Sequence, residues 1–433
     1  MFQGMRGNSD WVADQRPLNW RQQILKLYPN GMAPLTAILS MMKGESVDDP
    51  QFHWWTQTQS TVQGAVDGVF TTPDLANAYN GGGVAGTVVY ILVSAALGQR
   101  IRAGHQILLR DASDYRVDVN GKVTNVVIGA TAVLTVKLLE ADDNAAPTHD
   151  LTDCDNFKII GNINPEGGEM PDAIALNPEK VYNYTQIFRT PLSITRTARK
   201  TKLRTPDQYQ KAKSEALEMH SWEMELAYLW GIRTENIGDN GKPERTTMGI
   251  VNFIRQYMPS NCDDYTLNPN FAGVDWLTGG ETWFKTMLEQ IFRYGSNDKL
   301  CLCGSGFLLG IDALVTAGSQ MIVKPGEKFY GMQLDEWRTV FGTIKMKTHP
   351  LFSFDETTRN MAIILEPSEL GYRHIDDTSF YGENSSKSHP EGYGQRRIDG
   401  TNEEFLTEAG LEFGLPQKCA VINGVGLDNN LGN

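Results

Sequence analysis

The sequence predicts an α+β chain: strands first, one long helix, a helix–strand–helix middle, and strands again at the end. Three observations carry this. Residues 51–163 break into short alternating apolar and polar stretches separated by Gly, Asp and Asn. Residues 206–230 read as a single helix with both ends marked. Residues 394–425 return to strand patterning, as QRRIDG, EEFLTEAGLEFGL and CAVING.

The helix is the best-specified element. Thr205 suits the N-cap, and Gln208 follows at capping-box spacing. Pro206 falls at the first helical position, and Asp207 sits at the positive end of the helix dipole. Gly231 is expected to close the helix in a left-handed conformation. At 1.5 Å per residue the span is roughly 37 Å. Tyr209, Ala212, Ala216, Met219, Leu226 and Trp230 form a loose apolar stripe that Glu223 interrupts. Trp222, Met224, Tyr228 and Leu229 widen the apolar surface near the C-terminal end. Such a helix suits a strut across a sheet.

At 433 residues the chain is long enough for two or three domains with real cores. Its apolar and charged fractions, 40% and 21%, are those of a folded protein. A net charge of −13 disfavours coating by nucleic acid over the whole surface but leaves room for local basic patches. Five cysteines, an odd number, argue against a disulfide framework and for a reducing compartment. The N-terminus lacks the apolar run of a secretory signal. The most apolar window, residues 84–97, is too short for a membrane span of about 20 residues and reads as buried strand.

Residues 1–50, broken by Pro17, Pro29, Pro34 and Pro50, read as an arm lying on something else. Residues 98–140 suggest a small β-barrel or a group of hairpins, with Asn120-Gly121 as a hairpin turn. Residues 278–294 form a second helix with Phe284, Met287, Leu288 and Ile291 on its apolar face. EWRTVF and TIKMKTH read as a hairpin around Gly342.

Residues 181–204 carry no acidic residue, while Lys180, Arg189, Arg196, Arg199, Lys200, Lys202 and Arg204 are basic. A solvated strand edge is the default for such a run. The functional readings are a polyanion contact, or a contact with an acidic surface of a neighbouring copy.

Little else suggests chemistry. Gly304-Ser305-Gly306 with Gly310 follows a strand and opens a helix, but the third glycine is one place late for a dinucleotide fingerprint. A nucleotide-binding enzyme using the turn at Gly304 to Gly310 is the alternative function. Cys301 and Cys303 share a strand face as small buried thiols, without further zinc ligands at a suitable spacing. His220 and Glu223 stand one helical turn apart, with a surface pair as the default. Asp111, Asp114, Asp142 and Asp143 read as solvated turn residues. No catalytic, cofactor-binding or metal-ligating set is assigned, and no cofactor is expected.

Three stretches nevertheless have a recognisable order. NYTQIFRTPLSITRTARKTKLRTPDQYQKAKSEALEMHSWEMELAYLWG resembles the strand and spine helix of tailed-bacteriophage major capsid proteins, which share the Hong Kong ninety-seven capsid fold. DEWRTVFGTIKMKTHPLF with NMAIILEPSELGYRHI resembles their glycine-centred hairpin and following strand, and EEFLTEAGLEFGLPQKCAVING their closing strand pair.

The resemblance implies an N-terminal arm at 1–50 and an extended loop at 51–180 carrying a β-rich insertion. It implies a peripheral domain at 181–245 and 366–433 around spine helix 206–230, and an axial domain at 246–365. It implies a self-assembling subunit of an icosahedral phage head enclosing double-stranded DNA, not an enzyme. An encapsulating compartment of the same fold is a further alternative. Expected partners are copies of the chain as hexamers and pentamers, a portal protein, a separate scaffolding protein, a decoration protein, and packaged DNA contacted weakly. No membrane is expected; the site of action is the virion, after assembly in the host cytoplasm. Arg189, Arg196, Arg199, Lys200, Lys202 and Arg204 are the expected subunit contacts.

Overall fold

The computed structural model describes residues 44–57, 63–144, 148–167, 170–171, 173–174, 177–201, 208–316, 322–329, 332–382 and 400–431. Most of the expected arm, the cap residues Thr205, Pro206 and Asp207, and the expected contacts Lys202 and Arg204 lie outside them. The chain divides into two compact units, Met1–Trp54 with Val181–Asn433, and Trp55–Lys180.

Strands β1 (Glu45–Ser46) and β2 (Gln51–Thr56) open the described chain. The Trp55–Lys180 unit then supplies β3 (Gln63–Ala65), β4 (Gly68–Phe70), β5 (Val88–Ser94), one helical turn α1 (Ala95–Gly98), β6 (His105–Arg110), β7 (Asp118–Ile128), β8 (Thr131–Leu138) and β9 (Asn156–Asn162). These strands make one antiparallel sheet, ordered β3-β9-β6-β7-β8-β5-β4. Strict alternation turns Val89, Ile91 and Val93 of β5 and Leu134 and Val136 of β8 into a fully buried core. Asn120-Gly121 is not the turn: both residues lie within β7, and the chain reverses after Ile128. A Cβ on Gly121 would sit 2.4 Å from Val136 Cγ1, so this glycine lets a neighbouring strand's side chain approach. Asp142 is not solvated either. It is buried, and its Oδ2 accepts the Tyr79 hydroxyl at 2.7 Å. Burial, reinforced by that carboxylate, pushes the Tyr79 phenol up to about 12.

The other unit contains β10 (Glu179–Tyr184, paired with β2), β11 (Gln186–Thr195), α2 (Arg196–Lys200), the long α3 (Gln208–Trp230), the hairpin β12 (Thr234–Ile237) and β13 (Pro243–Thr246), and α4 (Ile250–Tyr257). It continues through β14 (Cys262–Asp264), α5 (Trp276–Ile291), β15 (Asp298–Cys303), α6 (Ser305–Thr316), β16 (Ile322–Phe329), β17 (Met332–Arg338), β18 (Thr343–Thr348) and α7 (Pro350–Phe354). It ends with β19 (Ala362–Leu365), β20 (Leu370–Tyr381), β21 (Gly400–Phe413) and β22 (Ala420–Asn423).

A mixed sheet, ordered β14-β22-β19-β15-β18-β17-β16, separates two cores. Its central strands are buried on both faces, so alternation assigns side chains to opposite cores. Leu300, Leu302, Ile363, Leu365 and Val421 face the core shared with α3 and α4. Cys301, Cys303, Ala362, Ile364 and Ile422 face the core shared with α5 and α6. Helix α5 starts and stops two to three residues before the expected 278–294, and its expected face is buried. The hairpin around Gly342 is present as β17 and β18.

A second sheet, β1-β20-β21-β11, lies against α3. The expected helix stripe is corrected here. Met219 and Leu226 are exposed, and the buried line is Ala216, His220, Met224 and Tyr228, one residue every fourth place. Gly231 is absent from the glycines with positive φ. A Cβ there would lie 2.3 Å from Thr247 O and 2.4 Å from Ala227 O, so close backbone approach requires glycine.

Candidate subunit interface

Strand β11 alternates cleanly. Phe188, Thr190, Leu192 and Ile194 are buried, and Ile187, Arg189, Pro191, Ser193 and Thr195 point outward. Its whole length pairs with β21, Gln186 opposite Ala409 through Thr195 opposite Gly400. This register sets Arg189, opposite Leu406, between Glu404 and Glu408 of the neighbouring strand.

Arg189 uses that proximity. Its Nε donates to Glu404 Oε2 at 2.9 Å and its Nη2 to Glu404 Oε1 at 2.6 Å, a fork onto a nearly buried carboxylate. Arg189 is therefore committed within the chain.

Thr195 ends the strand and caps α2, its Oγ1 accepting from Ala198 N at 3.3 Å. Arg199 and Lys200 occupy the last turn of α2, where positive charge complements the helix dipole. Arg199 Nη1 donates to Thr401 Oγ1 at 3.3 Å, and the guanidinium lies 4.9 Å from the Tyr209 ring centre. The Tyr209 hydroxyl donates to Glu403 Oε2 at 2.5 Å. Arg196, Arg199 and Lys200 all keep exposed side chains. The structure thus brings Arg196, Arg199 and Lys200 together on one short helix and places Arg189 apart, on the sheet.

Beneath this surface lies a contact that the sequence did not reveal. His220 is buried, not a surface residue paired with Glu223. Its Nδ1 is 2.9 Å from Thr190 Oγ1 and its Nε2 is 2.7 Å from Thr407 Oγ1, which in turn lies 2.9 Å from Thr378 Oγ1. One imidazole so fastens α3 to β11, β21 and β20. Burial without a compensating charge lowers its pKa below the ordinary histidine value.

The glycine turn does not suit a phosphate. A Cβ on Gly304 would meet Arg359 O at 2.2 Å, on Gly306 Asn360 Oδ1 at 2.7 Å, and on Gly310 Gly426 N at 2.6 Å. The amides of Gly304, Ser305 and Phe307 donate to Met361 O, Ser353 Oγ and Arg359 O. The space and the donors that a phosphate cradle needs are taken by the chain itself.

A family model described as SU10 major capsid protein matches residues 5–426. The major capsid protein of Pseudomonas phage PaMx41 is 24% identical over 420 residues, covering 93% of this chain and 91% of its own length. A solved structure from Mycobacterium phage Cain is 7% identical with a TM-score of 0.44, over 95% of this chain and 93% of that one. The holo-SrpI encapsulin complex of Synechococcus elongatus gives 11% identity and a TM-score of 0.38, over 57% of this chain and 76% of that one.

Proposed function

This chain belongs to the SU10 major capsid protein family, and from that premise we propose how it meets its neighbours in the shell. It is a phage major capsid protein, a structural subunit. The subunits assemble as hexamers and pentamers through heterologous contacts that close into rings. The exposed cations of α2 meet an acidic surface of the next copy. The observation that supports this is that Arg196, Arg199 and Lys200 present exposed side chains from one short helix, on a chain whose net charge is −13. Every sibling copy brings that acidic excess, which also weakens contact with packaged DNA.

In this reading residues 181–245 and 366–433 are the peripheral domain around α3, 246–365 the axial domain, and 51–180 the extended loop with its β insertion. Residues 1–50 act as the arm, and Lys202 and Arg204 extend the contact. A portal, a scaffolding protein and a decoration protein complete the head, which assembles in the host cytoplasm. The subunit performs no reaction.

The test is the triple charge reversal Arg196→Glu, Arg199→Glu and Lys200→Glu. The variant is expected to fold with an unchanged circular dichroism spectrum and to form no shells by electron microscopy. Normal shells from it would refute the assignment.

A further inference from the structure

We propose that Asp118, Glu140 and His149, in the Trp55–Lys180 unit, form a binding site for one divalent transition-metal cation. One ligand atom from each of the three lies within 4.8 Å of the other two. Two carboxylates and an imidazole form a donor set that suits such ions, with room for water in the remaining positions.

The three residues come from separate stretches. Asp118 opens β7, Glu140 follows β8, and His149 belongs to the connection that leads to β9. Each is braced by its surroundings. His149 Nδ1 lies 2.9 Å from the Asp118 carbonyl, which can only accept. Nδ1 therefore carries the hydrogen, and Nε2 keeps its lone pair in the neutral ring. A backbone carbonyl holding the non-ligating nitrogen is the arrangement that orients a metal-binding histidine. Glu140 Oε1 accepts from the Asn120 amide at 2.5 Å and from Asn120 Nδ2 at 3.0 Å, while Asp118 Oδ2 accepts from Arg110 at 3.4 Å. Each carboxylate is thus anchored through one oxygen and has a second to offer. All three side chains are half-buried, so solvent reaches the site without dissolving its geometry. A bound ion would tie the long connection between β8 and β9 back onto β7.

Zinc(II) is the probe. The full-length chain is titrated by calorimetry, alongside His149→Gln and Glu140→Gln. One zinc per chain is expected at this site, with affinity at least tenfold weaker in either variant, a loss typical for disturbed metal sites. X-ray absorption of the zinc-loaded chain is expected to show only nitrogen and oxygen neighbours at about 2.0–2.2 Å. Binding unaffected by either substitution, no binding at zinc concentrations near 100 µM, or a sulfur shell at about 2.3 Å from one of the cysteines would overturn the proposal. The absorption measurement needs no variant, so a sulfur shell refutes the site even if a substitution impairs folding.

Discussion

His349 Nε2 lies 2.6 Å from Glu225 Oε1, and both side chains are fully buried. His349 Nδ1 accepts from the Leu351 amide at 3.2 Å, so Nε2 carries the hydrogen given to the carboxylate. The bond joins the residue that caps α7 to the C-terminal part of α3, and the imidazole stacks on Phe352 at 4.5 Å. Removing the acceptor leaves a buried neutral N–H unsatisfied, which costs about 1–3 kcal/mol. Glu225→Ala is expected to lose that much in urea unfolding of the unassembled chain, and Glu225→Gln clearly less. Equal denaturation midpoints for wild type and Glu225→Ala would show that the bond contributes nothing.

His220 sets a pH dependence. Its folded pKa lies below the unfolded value of about 6.5. The unfolded chain therefore binds this proton more readily, and acid favours unfolding. The stabilisation is complete above pH 6.5 and shrinks as the pH falls towards the lowered folded value. His220→Gln is expected to cost about 1–2 kcal/mol at pH 7.5 and to flatten the decline in melting temperature between pH 7 and pH 5. An unchanged slope would mean that other groups govern it.

Gly310 offers a contest between two magnitudes. Alanine gains about 1 kcal/mol of helix propensity over glycine. Here, however, its Cβ would press on Gly426 N at 2.6 Å and Gly426 Cα at 2.7 Å, both backbone atoms. Overpacking costs about 1–3 kcal/mol, so Gly310→Ala is expected to melt below wild type. A higher melting temperature would mean that the chain near Gly426 yields readily.

Arg189 and Glu404 form a pair that reversal should rescue. The arginine is partly exposed, so the loss in Arg189→Glu is modest, about 1 kcal/mol. Adding Glu404→Arg is expected to recover most of it. Failure of the double variant to recover stability would deny the two residues a direct coupling.

The spine helix was legible in its length and its C-terminal end, since Trp230 closes it one residue before Gly231; that glycine serves close backbone approach instead of the expected left-handed cap, and the expected N-cap at Thr205 lies outside the described residues. The buried face was harder, since His220 looks polar by type and becomes a core residue only through Thr190 and Thr407 on two separate strands. Asn120-Gly121 misled for a related reason. The pair has the chemistry of a tight turn, but Gly121 is there to admit Val136 from the next strand. Arg189 could be read as a basic residue but not as a satisfied one, because Glu404 is 215 positions away. The basic run was visible as composition; its division into a committed arginine and an exposed helix end needed the register of β11 on β21.

Strands β2 and β10 run side by side, and the junctions of the Trp55–Lys180 unit fall within them. Paired strands lie about 4.8 Å apart, so the segment leaves and re-enters the body at nearly one point. Among the described residues, neither of the two body cores draws a residue from it. The segment is consequently a cassette: a tight turn can replace it, or a foreign domain with close-set ends can be displayed there, without rerouting the remaining polypeptide.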